Sequence, residues 1–336
     1  MKKILVTLGP SSMARSTIRE IAEYKVSMFR INLSHTELKD LSNNINIIQS
    51  STDVPVCLDS EGAQIRNQNM QNGSVYFEKD TMAKIHYEGV MGDPHNISFT
   101  PEGIAKQFEV GDVIRIDFNL ASMKIVEINK GYCLARIITS GMVGSNKAVD
   151  ISRDITLPPI TEKDREAIRI GREMKVKNFA LSFANNSEDV WKFRELVGME
   201  SNIISKIESR SGLHNLESII RETDEILIDR GDLSRQIDIE KIPFLQRRII
   251  AIARIMDKPV NVATNLLETM VNNRVPTRAE VNDIVSTILM GADGLVLAAE
   301  TAIGQHPVQA VKIVKNIIDL CKKWTTNTNI LEILEM

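Results

Sequence analysis

Aromatic residues are scarce in this chain of 336 residues, where Phe, Trp and Tyr together make up 4%. Because 43% of the residues are hydrophobic, Ile, Leu, Val and Met must fill the interior. Only three cysteines are present, Cys57, Cys133 and Cys321, and they are far apart. An odd number of scattered cysteines argues against a disulfide framework or a zinc site and is typical of reduced thiols in a cytoplasmic protein.

Long apolar runs and blocks of one charge are also missing. No run approaches the roughly 20 residues of a membrane span, and the start "MKKILVTLGP" stops being apolar at Gly9 and Pro10, which favours a first strand over a signal peptide. The net charge is −3 and no strongly basic block occurs. We therefore expect neither a membrane nor a nucleic acid as partner, whereas small anionic substrates remain open.

Short apolar runs alternate with helical patterns along most of the chain. Eight runs predict buried parallel strands, since they are apolar on both faces: 3–8, 28–34, 54–60, 178–184, 202–208, 225–231, 259–264 and 294–300. Amphipathic stretches such as "TEKDREAIRIGREM" and "SEDVWKFRELV" separate them. Eight such units predict an α/β fold, a (β/α)8 TIM barrel.

One interval breaks this alternation. Residues 68–155 contain several short strand patterns with turn signals, such as "NGSVYF" and "VGDVIRID". We interpret this interval as an inserted small β-barrel lid domain, with residues 1–67 and 156–336 forming the barrel. A solvent-facing module without an active role is the alternative.

Polar side chains stand where the predicted barrel strands end. Because the carboxyl ends of parallel strands meet at one mouth, we expect these groups to converge. They are Arg30, Asn32 and Ser34 in the second strand, Asp59 and Ser60 in the third, Lys206 and Glu208 in the fifth, Arg230 and Asp232 after the sixth, Thr264 in the seventh and Glu300 in the eighth.

Lys206 and Glu208 are two positions apart and so point to the same side of a strand. Glu208 and Asp232 can share one hard divalent cation, Mg²⁺ or Mn²⁺. Lys206 and Arg30 make a positive cluster suited to a phosphoryl group. Asn32, Ser34 and Asp59 offer oxygens for a second, larger cation. This spacing does not choose between a kinase, a lyase and an aldolase.

At these residues the chain resembles the pyruvate kinase family. The matching stretches include "VTLGPSS", "FRINLSH", "CLDSEGAQIR", "ISKIES", "DRGDL", "VPTRAEVND" and "ADGLVLAAETAIGQHP", in family order over residues 3 to about 320. The resemblance implies a (β/α)8 barrel with an inserted β-barrel and phosphoryl transfer from phosphoenolpyruvate to ADP. The chain stops before the family's C-terminal regulatory domain, which we expect to be missing, and a homo-oligomer through the barrel domain is left open.

The resemblance also implies roles for individual residues. It assigns stabilisation of the transferring phosphoryl group to Lys206, phosphate binding to Arg30 and a place beside the enolpyruvate to Thr264. Two cations would be held, Mg²⁺ by Glu208 and Asp232 and K⁺ by Asn32, Ser34, Asp59 and Ser60. Asp229, Arg230, Gly231 and Ser182 would line the substrate pocket, and His35, Pro10 and Arg66 would lie near the nucleotide.

The chain departs from the family at substrate and nucleotide positions. Most telling is Asp229, which stands where the family has a small residue. Two like charges about 4 Å apart repel by roughly 4 kcal/mol at an effective dielectric constant of 20, so an ionised Asp229 would oppose a substrate carboxylate. It could instead pair with a substrate ammonium, or with Arg30 or Arg66. Three hypotheses follow: a phosphoenolpyruvate–ADP phosphotransferase, a related enzyme for another acid or acceptor, and a non-catalytic ligand-binding protein.

Overall fold

The computed structural model describes residues 2–62, 64–117, 120–153, 155 and 157–336. It divides the chain into two compact units, Met1–Gly62 with Pro159–Met336, and Ala63–Pro158. The strands, in chain order, are β1 (Lys3–Leu8), β2 (Met28–Asn32), β3 (Val56–Asp59), β4 (Ile65–Asn67), β5 (Ser74–Phe77), β6 (Met82–His86), β7 (Asn96–Thr100), β8 (Val113–Ile116), β9 (Ala121–Ile128), β10 (Tyr132–Thr139), β11 (Gly141–Gly144), β12 (Ala148–Ile151), β13 (Asn178–Leu181), β14 (Asn202–Ile207), β15 (Glu225–Asp229), β16 (Val260–Ala263) and β17 (Gly294–Leu297).

In the described part of the chain, every α-helix lies in the first unit, between and after its strands. They are α1 (Arg15–Ala22), α2 (Leu38–Gln49), α3 (Glu162–Glu173), α4 (Ser187–Val197), α5 (Arg210–His214), α6 (Leu216–Glu222), α7 (Arg230–Gln236), α8 (Ile242–Ile255), α9 (Arg278–Met290), α10 (Ala299–Ala302), α11 (Pro307–Lys323) and α12 (Ile330–Glu335). In the described part of the chain, none of them combines the length and the apolar character that crossing a bilayer requires.

The first unit is a closed barrel of eight parallel strands, in the order β1-β17-β16-β15-β14-β13-β3-β2. This confirms the predicted TIM barrel, and each of the eight predicted strands forms. Most of them end one to three residues earlier than the sequence pattern indicates. After β15, for example, Arg230 already begins α7, so the charged residues of "DRGDL" belong to a helix rather than to a strand.

Alternate residues of the barrel strands face inward and form three levels. The middle level is apolar and takes one buried residue from each strand: Leu5, Met28, Cys57, Ala180, Ile204, Leu227, Ala263 and Val296. The outward-facing alternates, such as Ile226 and Ile228 of β15, pack with the surrounding helices in the larger core. Most of the remaining inward positions, at the two ends of the barrel, are polar; Gly294, in register with Lys3 and Asn261, is an exception.

The helix starts show why the sequence folds this way locally. Thr161 caps α3 through a reciprocal capping box with Asp164, and Thr277 does the same for α9 with Glu280. Asp164 also accepts hydrogen bonds from the backbone N–H groups of Glu61 and Gly62, at 2.7 and 3.2 Å. One buried carboxylate therefore fixes both the start of α3 and the loop after β3.

The second unit is a closed barrel of seven strands, in the order β10-β6-β7-β4-β12-β8-β9, with β11 and β5 paired separately. It has its own core, which includes Phe77, Ile97 and Ile125. The predicted β-rich insertion is therefore a separate barrel. The sequence boundaries, 67/68 and 155/156, lie inside this unit because β4 pairs with β7 and β12 of the second barrel.

Candidate active site

Lys206 stands at the centre of the C-terminal end of the first barrel. Its side chain lies on β14 and the residue is only 5% exposed. The ammonium Nζ is 2.8 Å from Glu208 Oε1, 3.3 Å from Asp59 Oδ1 and 3.9 Å from Asp229 Oδ2. Burial by itself lowers the pKa of Lys206, but these carboxylates outweigh burial and raise it, so the side chain is a fixed positive charge.

Arg30 and Asp59 form a buried pair beside this lysine. The Arg30 guanidinium donates to Asp59 Oδ2 at 2.8 Å and to the Thr7 hydroxyl at 2.8 Å. Both partners sit on strands next to β2, because Thr7 and Cys57 are in register with Arg30. The barrel therefore holds the guanidinium in one orientation, next to the ammonium of Lys206.

Ser182 links this cluster to the neighbouring loop. Lys206 Nζ donates to Ser182 Oγ at 3.1 Å, and Ser182 Oγ donates to the Ser60 carbonyl at 2.6 Å. The Ser182 backbone N–H donates in turn to Ser60 Oγ at 2.9 Å. Ser182 thus orients the lysine from its own position just beyond β13.

Glu208 is fully buried, and only one of its oxygens has a hydrogen-bond donor. Oε2 accepts from the backbone N–H of Phe183 at 2.7 Å, whereas Oε1 has no hydrogen bond, although it lies within ion-pair distance of Lys206. Burial raises the pKa of Glu208 to about 8; Lys206 opposes this rise, and the charges of Asp232 and Asp229 add to it. The site therefore contains a carboxylate that its protein partners do not fully satisfy.

Asp229 ends β15 and caps α7. Its Oδ1 accepts from the Thr264 hydroxyl at 2.6 Å and from the backbone N–H of Gly231 at 3.2 Å. Burial alone would raise the pKa of Asp229, but Lys206 and the Thr264 hydrogen bond hold it below its usual value. Asp229 is thus a buried anion, and its nearest cation is Lys206 rather than the arginines considered from the sequence.

Asp232 brings a third carboxylate to the same place. Oxygens of Glu208, Asp229 and Asp232 lie within 4.8 Å of one another. Asp232 is less buried and accepts from Arg235, one turn further along α7, at 2.9 Å. Three carboxylates and an unsatisfied buried oxygen form a set of hard donors that fits Mg²⁺ or Mn²⁺.

Arg230 and Gly231 contact Thr264 and position the backbone next to the carboxylate cluster. The Arg230 guanidinium turns to Asp283 on α9, at 2.7 Å, and to the carbonyl of Thr264, at 3.1 Å, so the structure does not bring it into the carboxylate cluster. Gly231 is helical, and a Cβ there would lie 2.7 Å from Thr264 Cγ2. A side chain at position 231 would therefore displace Thr264.

The four residues predicted to hold K⁺ lie near one another, because Asn32 and Asp59 are in register. Their oxygens already have protein donors: Asn32 Oδ1 accepts from the backbone N–H of Ser34, and the Ser60 carbonyl accepts from Ser182. Among the described residues, the buried side-chain atoms without a hydrogen bond are Glu208 Oε1, Asn261 Oδ1 and Glu300 Oε1, none of them from this set. The K⁺ site remains a prediction.

Two of the residues predicted near a nucleotide follow strands of the first barrel, and the third belongs to the second unit. Pro10 and His35 are exposed, Pro10 after β1 and His35 after β2. Arg66 belongs to β4 of the second unit, where its guanidinium donates to the Asn146 carbonyl and to Gln64 Oε1. Their roles also remain predictions.

The sequence pattern did not reveal three side chains that hold predicted site residues in place. Thr7 holds Arg30, and only knowledge of strand register could have indicated it. Arg235 holds Asp232, and its spacing of three residues becomes informative once 230–236 is assigned as a helix. Asp283 holds Arg230 across 53 positions of the chain, a pairing that no local pattern predicts.

Comparison with known proteins agrees with this geometry. A sequence profile described as "Pyruvate kinase, barrel domain" matches residues 1–311. The pyruvate kinase of Thermotoga maritima is 33% identical over 330 residues, covering 96% of this chain and 71% of the relative. That of Bacillus licheniformis is 32% identical over 341 residues, covering 98% of this chain and 58% of the relative.

A solved structure gives the same result. The crystal structure of a pyruvate kinase from Cryptosporidium parvum superposes with a TM-score of 0.88 at 27% sequence identity, covering 97% of this chain and 70% of that one. The chain thus spans between about half and three quarters of the length of the relatives it matches. With the barrel, the buried lysine and the profile match in agreement, this chain belongs to the pyruvate kinase family.

Proposed function

We propose that the chain transfers a phosphoryl group between phosphoenolpyruvate and ADP, giving pyruvate and ATP. The observation that carries this proposal is the buried Lys206 ammonium, which is held among Asp59, Glu208 and Ser182 at the mouth of the barrel. A fixed positive charge is what a phosphoryl group needs as its charge spreads over its oxygens.

The chain's own residues would divide the work. Lys206 stabilises the transferring group and the developing enolate. Arg30, fixed by Asp59 and Thr7, binds phosphate oxygens. The divalent cation, held by Glu208 and Asp232, would supply further positive charge to those oxygens. Thr264 presents its hydroxyl at the edge of the cluster, where the hydrogen bond to Asp229 sets the direction of its proton.

A second candidate reaction has one observation in its favour. Asp229 is a buried anion 3.9 Å from Lys206, and it adds a negative charge to the pocket. An enzyme of this family that acts on another acid, or on another phosphoryl acceptor, would account for that charge. Both candidates use the same lysine, and both require small-molecule substrates in the cytoplasm.

A coupled assay with lactate dehydrogenase tests the first candidate. The purified chain is incubated with phosphoenolpyruvate, ADP, Mg²⁺ and K⁺, and we expect pyruvate formation well above that of Lys206→Ala. Equal rates for the two proteins would contradict the proposal.

Asp229→Ala separates the two candidates. If Asp229 opposes the substrate carboxylate, this variant lowers the KM for phosphoenolpyruvate about tenfold or more. An unchanged KM would show that Asp229 does not select the substrate. Calorimetry that shows ligand binding without turnover in either protein would favour a non-catalytic role.

A further inference from the structure

We infer that Asp229 is a third carboxylate ligand of a divalent cation, and that the site therefore binds this cation in the absence of substrate. The inference rests on the metal position in the proposed function, but not on the reaction.

The orientation of Asp229 supports a ligand role. Its Oδ1 is anchored by the Thr264 hydroxyl and the Gly231 backbone N–H, at 2.6 and 3.2 Å. Its Oδ2 lies on the side of Lys206, at 3.9 Å from Nζ. These donors and the backbone N–H of Asp232 thus hold the carboxyl group in place, with one of its oxygens within 4.8 Å of oxygens of Glu208 and Asp232.

Thr264 is itself held in an unusual conformation to make this contact. Its φ of 75° lies in the left-handed region, which β-branched residues rarely adopt. Gly231 leaves room for its methyl group, because a Cβ at that position would collide with it. The local backbone is therefore arranged around the Thr264–Asp229 contact.

Glu208 adds a buried carboxylate oxygen with spare acceptor capacity to the cluster. The residue is fully buried, and its Oε1 has the Lys206 ammonium at 2.8 Å as an ion-pair partner, in a geometry that misses a regular hydrogen bond. Because a carboxylate oxygen has more than one lone pair, Oε1 can accept a further cation beside Lys206. This oxygen faces Lys206, and hence the same space as Asp229 Oδ2.

The charges that face the cluster come from four barrel strands and α7. Lys206, Arg30 and Arg235 are positive, whereas Asp59, Glu208, Asp229 and Asp232 are negative. Asp229 adds one negative charge to this set, because Lys206 and Thr264 hold its pKa below the usual value. This charge favours a bound cation before any substrate oxygen arrives.

Ligand number then predicts the order of binding. Mg²⁺ that is held by one or two carboxylates usually completes its shell with water and substrate oxygens. A third carboxylate strengthens binding to the protein alone, since affinity for hard cations rises with the charge count of the ligands. The cation should therefore be resident when the substrate enters.

Mn²⁺ binding to the substrate-free protein tests this inference without any turnover. Free Mn²⁺ is titrated by electron paramagnetic resonance, and inner-sphere waters are counted by water-proton relaxation. The variants are Asp229→Asn, which keeps the size of the side chain, and Asp229→Ser, which can still cap α7 if the amide variant folds poorly. Glu225→Gln is the matched control, because it removes a buried carboxylate from the other end of the same strand.

We expect wild type and Glu225→Gln to bind one Mn²⁺ with similar affinity, and the Asp229 variants to bind it at least about tenfold more weakly with about one additional water on the ion. An Asp229 variant whose affinity stays within twofold of wild type would overturn the inference. So would weaker binding with an unchanged water count, since that would indicate a long-range charge effect instead of ligation. Absence of turnover with intact Asp229-dependent binding would contradict only the proposed reaction.

Discussion

The two ends of the eight-stranded barrel each contain a lysine and buried acid, yet they are built differently. At the N-terminal end, Glu225 Oε1 pairs with Lys3 Nζ at 2.7 Å and Oε2 accepts from Asn261 at 3.0 Å. At the C-terminal end, Lys206 faces several carboxylates, and Glu208 keeps an oxygen without a donor. One acid satisfied on both oxygens stabilises a fold, whereas an excess of acids prepares a site for a ligand.

Lysine replacements should give the largest difference between the ends. We expect Lys206→Met to lower kcat by at least about 10³, because it removes a charge that acts on the reacting group. Lys3→Met should leave kcat within about twofold, since Lys3 lies at the opposite end of β1 from the mouth. The coupled pyruvate assay measures both, and a comparable loss in the two variants would refute this distinction.

The second largest difference should appear in how the stability of the protein depends on pH, to which Glu208 and Glu225 should contribute differently. A carboxyl group whose pKa is higher in the folded state than in the unfolded state lowers stability as the pH rises between the two pKa values. For Glu208 these are near 4.5 in the unfolded state and about 8 in the folded state. Without divalent cations we expect the free energy of unfolding to fall over this range, by on the order of 3–5 kcal/mol from Glu208.

Glu208→Gln should remove that part of the fall, whereas Glu225→Gln should keep it and lower stability at every pH. Urea unfolding at pH 5 and pH 8.5 in the presence of a chelator measures both effects. A wild-type pH profile that Glu208→Gln leaves unchanged would show that this carboxyl group does not carry the burial cost.

Replacing one glycine at each end of the barrel by alanine should give the smallest difference between the two ends. A Cβ on Gly294 would collide with Asn261 Oδ1 and disturb the amide that donates to Glu225, so Gly294→Ala should lose about 2 kcal/mol of stability with little effect on kcat. Gly231→Ala should change stability by less than about 1 kcal/mol but lower kcat about tenfold, because it displaces Thr264. Thermal unfolding and the coupled assay decide between these patterns, and the reverse assignment would contradict them.

The sequence predicted the barrel because its strands are apolar on both faces and its helices are amphipathic, and both periodicities are local. It also predicted that Arg30, Asp59, Lys206 and Glu208 converge, since residues at strand ends share one mouth. It could not predict that Arg230 turns to Asp283, or that Thr264 adopts a left-handed conformation to reach Asp229. Those features depend on contacts across many residues, which no periodicity encodes.

The apolar middle level of the barrel, which takes one residue from each of the eight strands, separates the two ends of the barrel. It places a layer of apolar side chains between the N-terminal end and the acid-rich mouth, in which the weakly polar Cys57 thiol is the one side-chain group able to donate a hydrogen bond. The effects of substitutions at one end on the free energy of unfolding should therefore add to the effects of substitutions at the other end. Stability can therefore be adjusted at one end of the barrel, and substrate preference at the other, along separate evolutionary routes.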